Sequence, residues 1–313
     1  MQKISFIAPC YNEEENISEF YKRVKSVARE FDDFEFEFVI VNDGSHDESE
    51  TILDKLADIE PRLVVIHLAQ NMGHQTALFA GIEAADGDIN ITLDIDLQDP
   101  PEMLAKFLEK IEQGYEIVHA QRSVRNGETV FKILTAKFFY KFIKLVSKLD
   151  LIDNSGDFRA FTKPVRIIIS QFREKHKFLR GLFVLVGFAQ TSIKYERHER
   201  LAGETKYTLA KMIRLAVDAT LNFSHFPIHL MFVVSSLMWS LSLLYLFAAV
   251  LAKFVFGTAI QGWTSIVFLQ VFFAGVLLFF IALLGAYIGR IYEQGQDRPL
   301  YWIRKVRNYK GDK

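Results

Sequence analysis

Two long uncharged stretches in this 313-residue chain restrict its fold more than any other feature. There is no Asp, Glu, Lys or Arg from Phe226 to Ala252, and after Lys253 none from Phe254 to Gly289. A helix of about 20 apolar residues crosses the hydrocarbon core of a bilayer. The first stretch is long enough with some tilt. The second begins with a connector, Gly257 to Gly262, and continues as a second span from about Trp263 to Gly289. Two buried helices of a soluble core are a poor alternative at this length. So short a connector makes a helical hairpin, with both ends on one side. Arg290, Arg298, Arg304, Lys305, Arg307, Lys310 and Lys313 flank the exit, whereas the connector adds no charge beyond Lys253. The positive-inside rule then puts the N-terminal part and the C-terminus in the cytoplasm, on a multi-pass protein of the cytoplasmic (inner) membrane.

The remainder reads as a cytoplasmic domain. A formal net charge of -1 gives no general attraction to polyanions, and no nucleic acid is expected as a partner. The single cysteine, Cys10, excludes an internal disulfide and suits a reducing compartment. Met1 to Ser5 runs straight into a strand pattern, without a signal peptide. Strands are expected at Ile4–Ala8, Glu37–Val41, Leu63–Leu68, Ile89–Leu93 and Glu116–Ala120. Helices alternate with them at Glu13–Glu30, Glu48–Ala57, Gln75–Ala85 and Glu102–Gln113. Strict alternation with short apolar strands implies an α/β fold with a doubly wound, mostly parallel sheet. No G-x-G-x-x-G follows the first strand, which weighs against a dinucleotide oxidoreductase.

Polar residues gather after each of the first four strands, where an open α/β sheet binds ligands. The fourth cluster is the most telling. In Leu93-Asp94-Ile95-Asp96-Leu97-Gln98-Asp99 the two acids are two residues apart and project together from extended backbone. Converging carboxylates repel unless a cation lies between them; a hard divalent metal is the usual one, and it would in turn hold a diphosphate. Taken alone, an acidic turn ahead of Pro100-Pro101 explains this triplet, and Asp43 and Ser45 alone read as turn and helix caps. Four such clusters at successive strand ends outweigh those separate readings.

Pro9-x-Tyr11-Asn12-Glu13, Asn42-Asp43-Gly44-Ser45, Asn71-x-Gly73, Asp94-x-Asp96-x-Gln98 and Gly156-Asp157-Phe158-Arg159 resemble the motifs of the family 2 inverting glycosyltransferases of GT-A fold. With the two C-terminal spans, the chain resembles the polyprenyl-phosphate members: bactoprenol glucosyltransferases of O-antigen modification, aminoarabinose transferases and dolichol-phosphate mannose synthases. The resemblance covers nearly the whole chain. It implies that Pro9, Tyr11, Glu13, Asp43 and Asp94 hold the nucleotide of a nucleotide-sugar donor. It implies Mg²⁺ or Mn²⁺ on Asp94, Asp96 and Gln98, with Asp96 essential to catalysis. Asp157 matches the position often assigned as base. A lipid phosphate with a second pKa of about 6 has little need of one, so Asp157 is also read as a residue that orients the sugar or orders the site. Arg122, Arg125, Arg200 and Lys206 are candidates for the lipid phosphate, the last two in a loop resembling R-x-x-G-x-[ST]-K-[YF].

Val130 to Leu149 spaces five lysines among apolar residues and reads as an amphipathic helix in the membrane interface; Leu209 to Leu221 reads as a second. The expected organisation is a nucleotide-sugar-binding core over 1–125, an acceptor-side part over 126–225, two spans over 226–289 and a basic tail over 290–313. The expected reaction is transfer of a hexose, glucose first among candidates, from a UDP-sugar to undecaprenyl phosphate. Mannose, GlcNAc, galactose and aminoarabinose are the alternatives. A processive synthase is disfavoured by the missing Q-x-x-R-W, and a non-catalytic scaffold by the intact acids. The resemblance includes tetramers, so a homo-oligomer is a further expectation. Three positions depart from the pattern: Asn42 replaces a first Asp, His74-Gln75 offers no sugar assignment, and Ala286 replaces a Glu.

Overall fold

The computed structural model describes residues 1–123, 152, 155–175, 177–196, 226–256 and 262–309. Its first half alternates as expected: β1 (Gln2–Cys10), α1 (Ile17–Ala28), β2 (Phe34–Asn42), α2 (Ser49–Ile59), β3 (Leu63–Leu68), α3 (His74–Ala84), β4 (Ile89–Thr92), α4 (Leu104–Glu112) and β5 (Ile117–Arg122). The strands are apolar along most of their length because both sheet faces are covered; all six residues of β3 are buried. The helices earn their places by period. In α1, Ile17, Phe20, Tyr21, Val24, Val27 and Ala28 fall on one stripe and are buried, with Glu19 in the first turn and Lys25 in the last.

β6 (Ser155–Thr162), α5 (Lys163–Ile169), α6 (Leu179–Leu185) and β7 (Gln190–Tyr195) follow. The sheet has eight strands in the order β7-β5-β6-β4-β1-β2-β3-β8. β1 pairs in parallel with β2 and β4, β2 with β3, and β5 with β7. β6 runs antiparallel between β4 and β5. One core joins the sheet to α1, α2 and α4; the other joins the opposite face to α3, α5 and α6. The expected α/β, mostly parallel, doubly wound arrangement is therefore present.

The C-terminal part consists of α7 (Phe226–Phe256), α8 (Trp263–Gly295) and β8 (Ile303–Arg307). Leu269–Gly295 within α8 is long and apolar enough to cross a membrane, whereas the apolar stretch Leu230–Tyr245 of α7 is shorter. Both helices expose large apolar side chains, such as Phe232 and Trp239 on α7 and Leu277 and Leu278 on α8. They line one apolar groove through Leu230, Val234, Val271 and Gly275.

Residues 290–313 are expected as a basic tail; the described part of that segment, 290–309, carries the end of α8 and an edge strand. β8 pairs antiparallel with β3. Its basic residues pair with acids of α2: Arg304 with Glu50, Lys305 with Asp54 and Arg307 with Asp58. The end of α8 is tied down as well. Gln294 Nε2 donates to the Arg173 carbonyl at 3.0 Å, and Tyr301 donates to Glu83 at 2.7 Å.

Candidate active site

β1 to β4 are parallel, so their carboxyl ends share one edge of the sheet. The loops there are stitched together by side chains. Asp43, just past β2, is buried and accepts the Met72 and Gly73 amides at 2.7 and 2.9 Å. Burial raises its pKa above the ordinary carboxylate value, against those two amides and His74. Gly44 next to it has φ +65°, and a Cβ there would lie 2.6 Å from the Gln70 carbonyl carbon. Asn42 Oδ1 accepts the Ser45 amide, and Ser45 Oγ accepts the Asn12 amide, each at 3.0 Å. Ser49 Oγ accepts the Glu13 amide at 3.0 Å, and the Tyr11 ring meets His46 edge-on. The Pro9–Glu13 and Asn42–Ser45 segments therefore form one surface. Pro9 itself is a buried residue of β1, whereas Tyr11 and Glu13 are partly exposed.

β4 ends at Thr92, so Asp94 and Asp96 lie on the loop beyond it rather than on the strand. The alternation nevertheless persists: Leu93, Ile95 and Leu97 are buried, while Asp94 and Asp96 are partly exposed. The Leu93 amide still bonds the Ile7 carbonyl at 3.1 Å, which prolongs the extended backbone. Leu97 then turns the chain with φ 56°, and Asp96 Oδ1 accepts the Gln98 amide at 3.2 Å. Gln98 is buried.

Asp157 is held opposite this loop on β6. Thr92 Oγ1 donates to the Asp157 carbonyl at 2.5 Å, which ties β4 to β6. The Asp157 carboxylate is buried and crowded with donors. Arg180 Nε and Nη2 reach its two oxygens at 3.1 and 3.2 Å, and Gln75 Nε2 donates at 3.0 Å. Arg159 Nη2 stands 3.6 Å away and His74 Nε2 3.4 Å away. Burial would raise its pKa, but Arg180, His74 and Arg159 hold it well below the carboxylate range. His74 also faces Asp94 at 3.7 Å. Burial opposes a charged ring there, yet Asp157 and Asp94 raise the His74 pKa to about 9. Arg122 closes the crevice at the end of β5, where Nε donates to the Tyr195 hydroxyl at 3.2 Å.

Two partly exposed carboxylates and a buried amide make an oxygen-only donor set. Among the described residues no group of three or more His, Cys, Asp or Glu forms a metal cage. The oxygen donors of Asp94, Asp96 and Gln98 fit Mg²⁺ or Mn²⁺, which bind through one or two carboxylates and complete their shell with water and substrate phosphates. Arg125, Arg200, Lys206, the Val130–Leu149 and Leu209–Leu221 segments and the connector residues 257–261 lie outside the described residues.

Arg180, Tyr195 and the part played by Gln75 were not foreseen from sequence. Arg180 had one signal, a lone charge within the apolar run Phe178–Val186. Tyr195 had none, because its partner Asp99 is remote in sequence.

A family model described as glycosyl transferase family 2 matches residues 5–166. An uncharacterized glycosyltransferase, YkcC of Bacillus subtilis, is 42% identical over 301 residues, which are 96% of this chain and 93% of that one. The bactoprenol glucosyl transferase of Shigella phage SfII is 38% identical over 303 residues, covering 97% and 98% of the two chains. Among solved structures, a mycobacterial protein superposes with a TM-score of 0.50 at 17% identity, over 72% of this chain and 76% of its own, and supports the fold. The stitched crevice, the paired acids and these full-length relatives lead to one conclusion: the chain belongs to the family 2 glycosyl transferases and is a glycosyltransferase.

Proposed function

We propose that this enzyme transfers a hexose from a UDP-sugar, UDP-glucose in our reading, to polyprenyl phosphate at the cytoplasmic face of a membrane. The observation that carries it is the placement of β8. The sheet whose rim bears Asp94, Asp96 and Arg122 also receives the strand that directly follows the long apolar helix α8. The catalytic crevice and the helix exit therefore stand on one side of any membrane that α8 crosses, and the chain crosses an even number of times. At 1.5 Å per residue the 31 residues of α7 and the 33 of α8 extend for about 46 and 50 Å, ample for a core about 30 Å thick. The reading is thus a hairpin of two spans over 226–289, with the 1–125 core, the 126–225 acceptor-side part and the 290–313 segment all cytoplasmic. Full-length relatives named bactoprenol glucosyl transferase support this acceptor.

The Pro9–Glu13 and Asn42–Ser45 surface holds the nucleotide. Asp94 and Asp96, with Gln98, hold Mg²⁺ or Mn²⁺, which supplies positive charge to the leaving diphosphate. An oxygen of the lipid phosphate attacks the anomeric carbon. The bond to the nucleoside diphosphate breaks, its electron pair leaves with UDP, and the anomeric configuration inverts. Asp157 takes no proton in this scheme. A carboxylate held ionised by Arg180, His74 and Arg159 is a weak base, and the acceptor is already ionised near neutral pH. Asp157 instead fixes His74, Gln75 and Arg180 around the sugar.

Purified full-length protein supplied with polyprenyl phosphate and a panel of labelled UDP-sugars tests this. A lipid-linked product from UDP-glucose, abolished by EDTA and restored by Mg²⁺ or Mn²⁺, is expected. Metal-independent transfer, or release of free sugar without lipid product, overturns it.

A further inference from the structure

At the acceptor end of the crevice, three residues from separate segments meet around the Arg122 guanidinium. Arg122 ends β5, Tyr195 ends β7, Gly156 lies in β6, and Asp99 follows the acidic loop. Tyr195 and Asp99 are both buried, and the Tyr195 hydroxyl donates to Asp99 Oδ1. A phenol has one proton; with that proton given to Asp99, its oxygen is left to accept. Arg122 Nε donates to it at 3.2 Å, while Arg122 Nη2 lies 4.0 Å from the same Asp99 oxygen. Directly beneath is Gly156, where a Cβ would come within 2.7 Å of Arg122 Nη2. The guanidinium is therefore seated by three neighbours, yet 28% of the side chain stays exposed.

The Tyr195 carbonyl also accepts the Ser123 amide at 2.9 Å, so this residue braces the chain where it leaves β5 as well. Asp99 is one residue past Gln98, and the Tyr195–Asp99 bond thus joins the acidic loop to the Arg122 side of the crevice. Nothing in the donor reading above uses Tyr195.

We propose that Tyr195, anchored on Asp99, is the positioning residue that presents Arg122 to the phosphate of the lipid acceptor. This rests on Arg122 being an acceptor-phosphate contact. Loss of the hydroxyl frees the guanidinium to swing on its flexible stem. Acceptor binding weakens, while the nucleotide surface tied together by Asp43, Asn42 and Ser45 keeps its own hydrogen bonds.

The test is initial-rate kinetics of the full-length enzyme in detergent, varying polyprenyl phosphate and UDP-glucose separately. Tyr195→Phe keeps the ring against Phe158 and removes one oxygen. The expected result is an acceptor KM raised about tenfold, the worth of one hydrogen bond to a charged group, with donor KM and kcat changed less than about twofold. Arg122→Lys is expected to raise the acceptor KM in the wild type and to cost less in the Tyr195→Phe background, because the two changes remove the same contact. Strictly additive effects, equal rises in both KM values, or a lowered melting temperature with unchanged kinetics overturn the proposal. Arg122→Ala separates the underlying reading: an unchanged acceptor KM removes Arg122 from the acceptor site and the proposal with it.

Discussion

Asp157 shows how far neighbours decide what a side chain does. From sequence it was both a possible base and a possible organiser; its crowded surroundings favour the second. The Arg180 pair predicts a stability effect with a definite sign. A carboxylate with a depressed pKa stabilises the fold above its unfolded value near 4, and that contribution is lost as pH falls toward its folded value. Arg180→Met should cost about 3 kcal/mol at neutral pH, discounted from the range for broken buried pairs because Arg180 is partly exposed. It should also shift acid unfolding to higher pH, as followed by melting temperature from pH 7 to 3. His74 has the opposite sign. Its pKa is raised to about 9, so its contribution is complete below the unfolded value near 6.5 and fades as pH rises through 9. An NMR titration of the ring should show this upward displacement, and Asp157→Asn should return the midpoint toward 6.5. Gly44→Ala is expected to destabilise by more than about 1 kcal/mol in a denaturation experiment, since both the φ of +65° and the Gln70 backbone stand against a methyl group.

Among the elements, the first five strands and four helices were legible in the sequence because strand and helix periods alternate cleanly there. β6 was visible only as a motif, Gly156–Arg159, and β7 not at all, because Gln190-Thr191-Ser192-Ile193-Lys194-Tyr195 has little apolar content. β8 was hidden for a related reason. Its Arg304, Lys305 and Arg307 read as membrane-flanking charge, whereas three acids of α2 receive them. Asn42, a departure from the family pattern, gains a reason at this scale. Its Nδ2 donates to Nδ1 of buried His67 at 3.0 Å, and His67 Nε2 faces Asp54, the partner of Lys305, at 3.3 Å. Burial lowers the His67 pKa, which favours the uncharged ring, and Nδ1 accepting from Asn42 leaves Nε2 to donate to Asp54. Asn42→Asp would put a second carboxylate on this ring. The expected outcome is a raised His67 midpoint by NMR and disturbance of the Asn42–Ser45 turn, seen as weaker UDP binding by calorimetry.

For the whole molecule, the sequence placed the apolar helices and the crevice but not the link between them. β8 supplies it, because its pairing with β3 fastens the chain that leaves α8 to the sheet that carries the crevice. The paired acids were found from a two-residue spacing, and although the strand stops short of them the alternating burial holds. Arg180 and Tyr195 became visible only in three dimensions, since both act on acids distant in the chain. Transfer of radiolabelled glucose from UDP-glucose to polyprenyl phosphate by wild-type and Asp96→Asn full-length protein at matched membrane abundance is the most direct measurement. Mg²⁺- or Mn²⁺-dependent lipid-linked product from the wild type, reduced about a hundredfold or more in Asp96→Asn with an unchanged melting temperature, is predicted. Equal product from both proteins contradicts a metal-holding acid pair at the crevice.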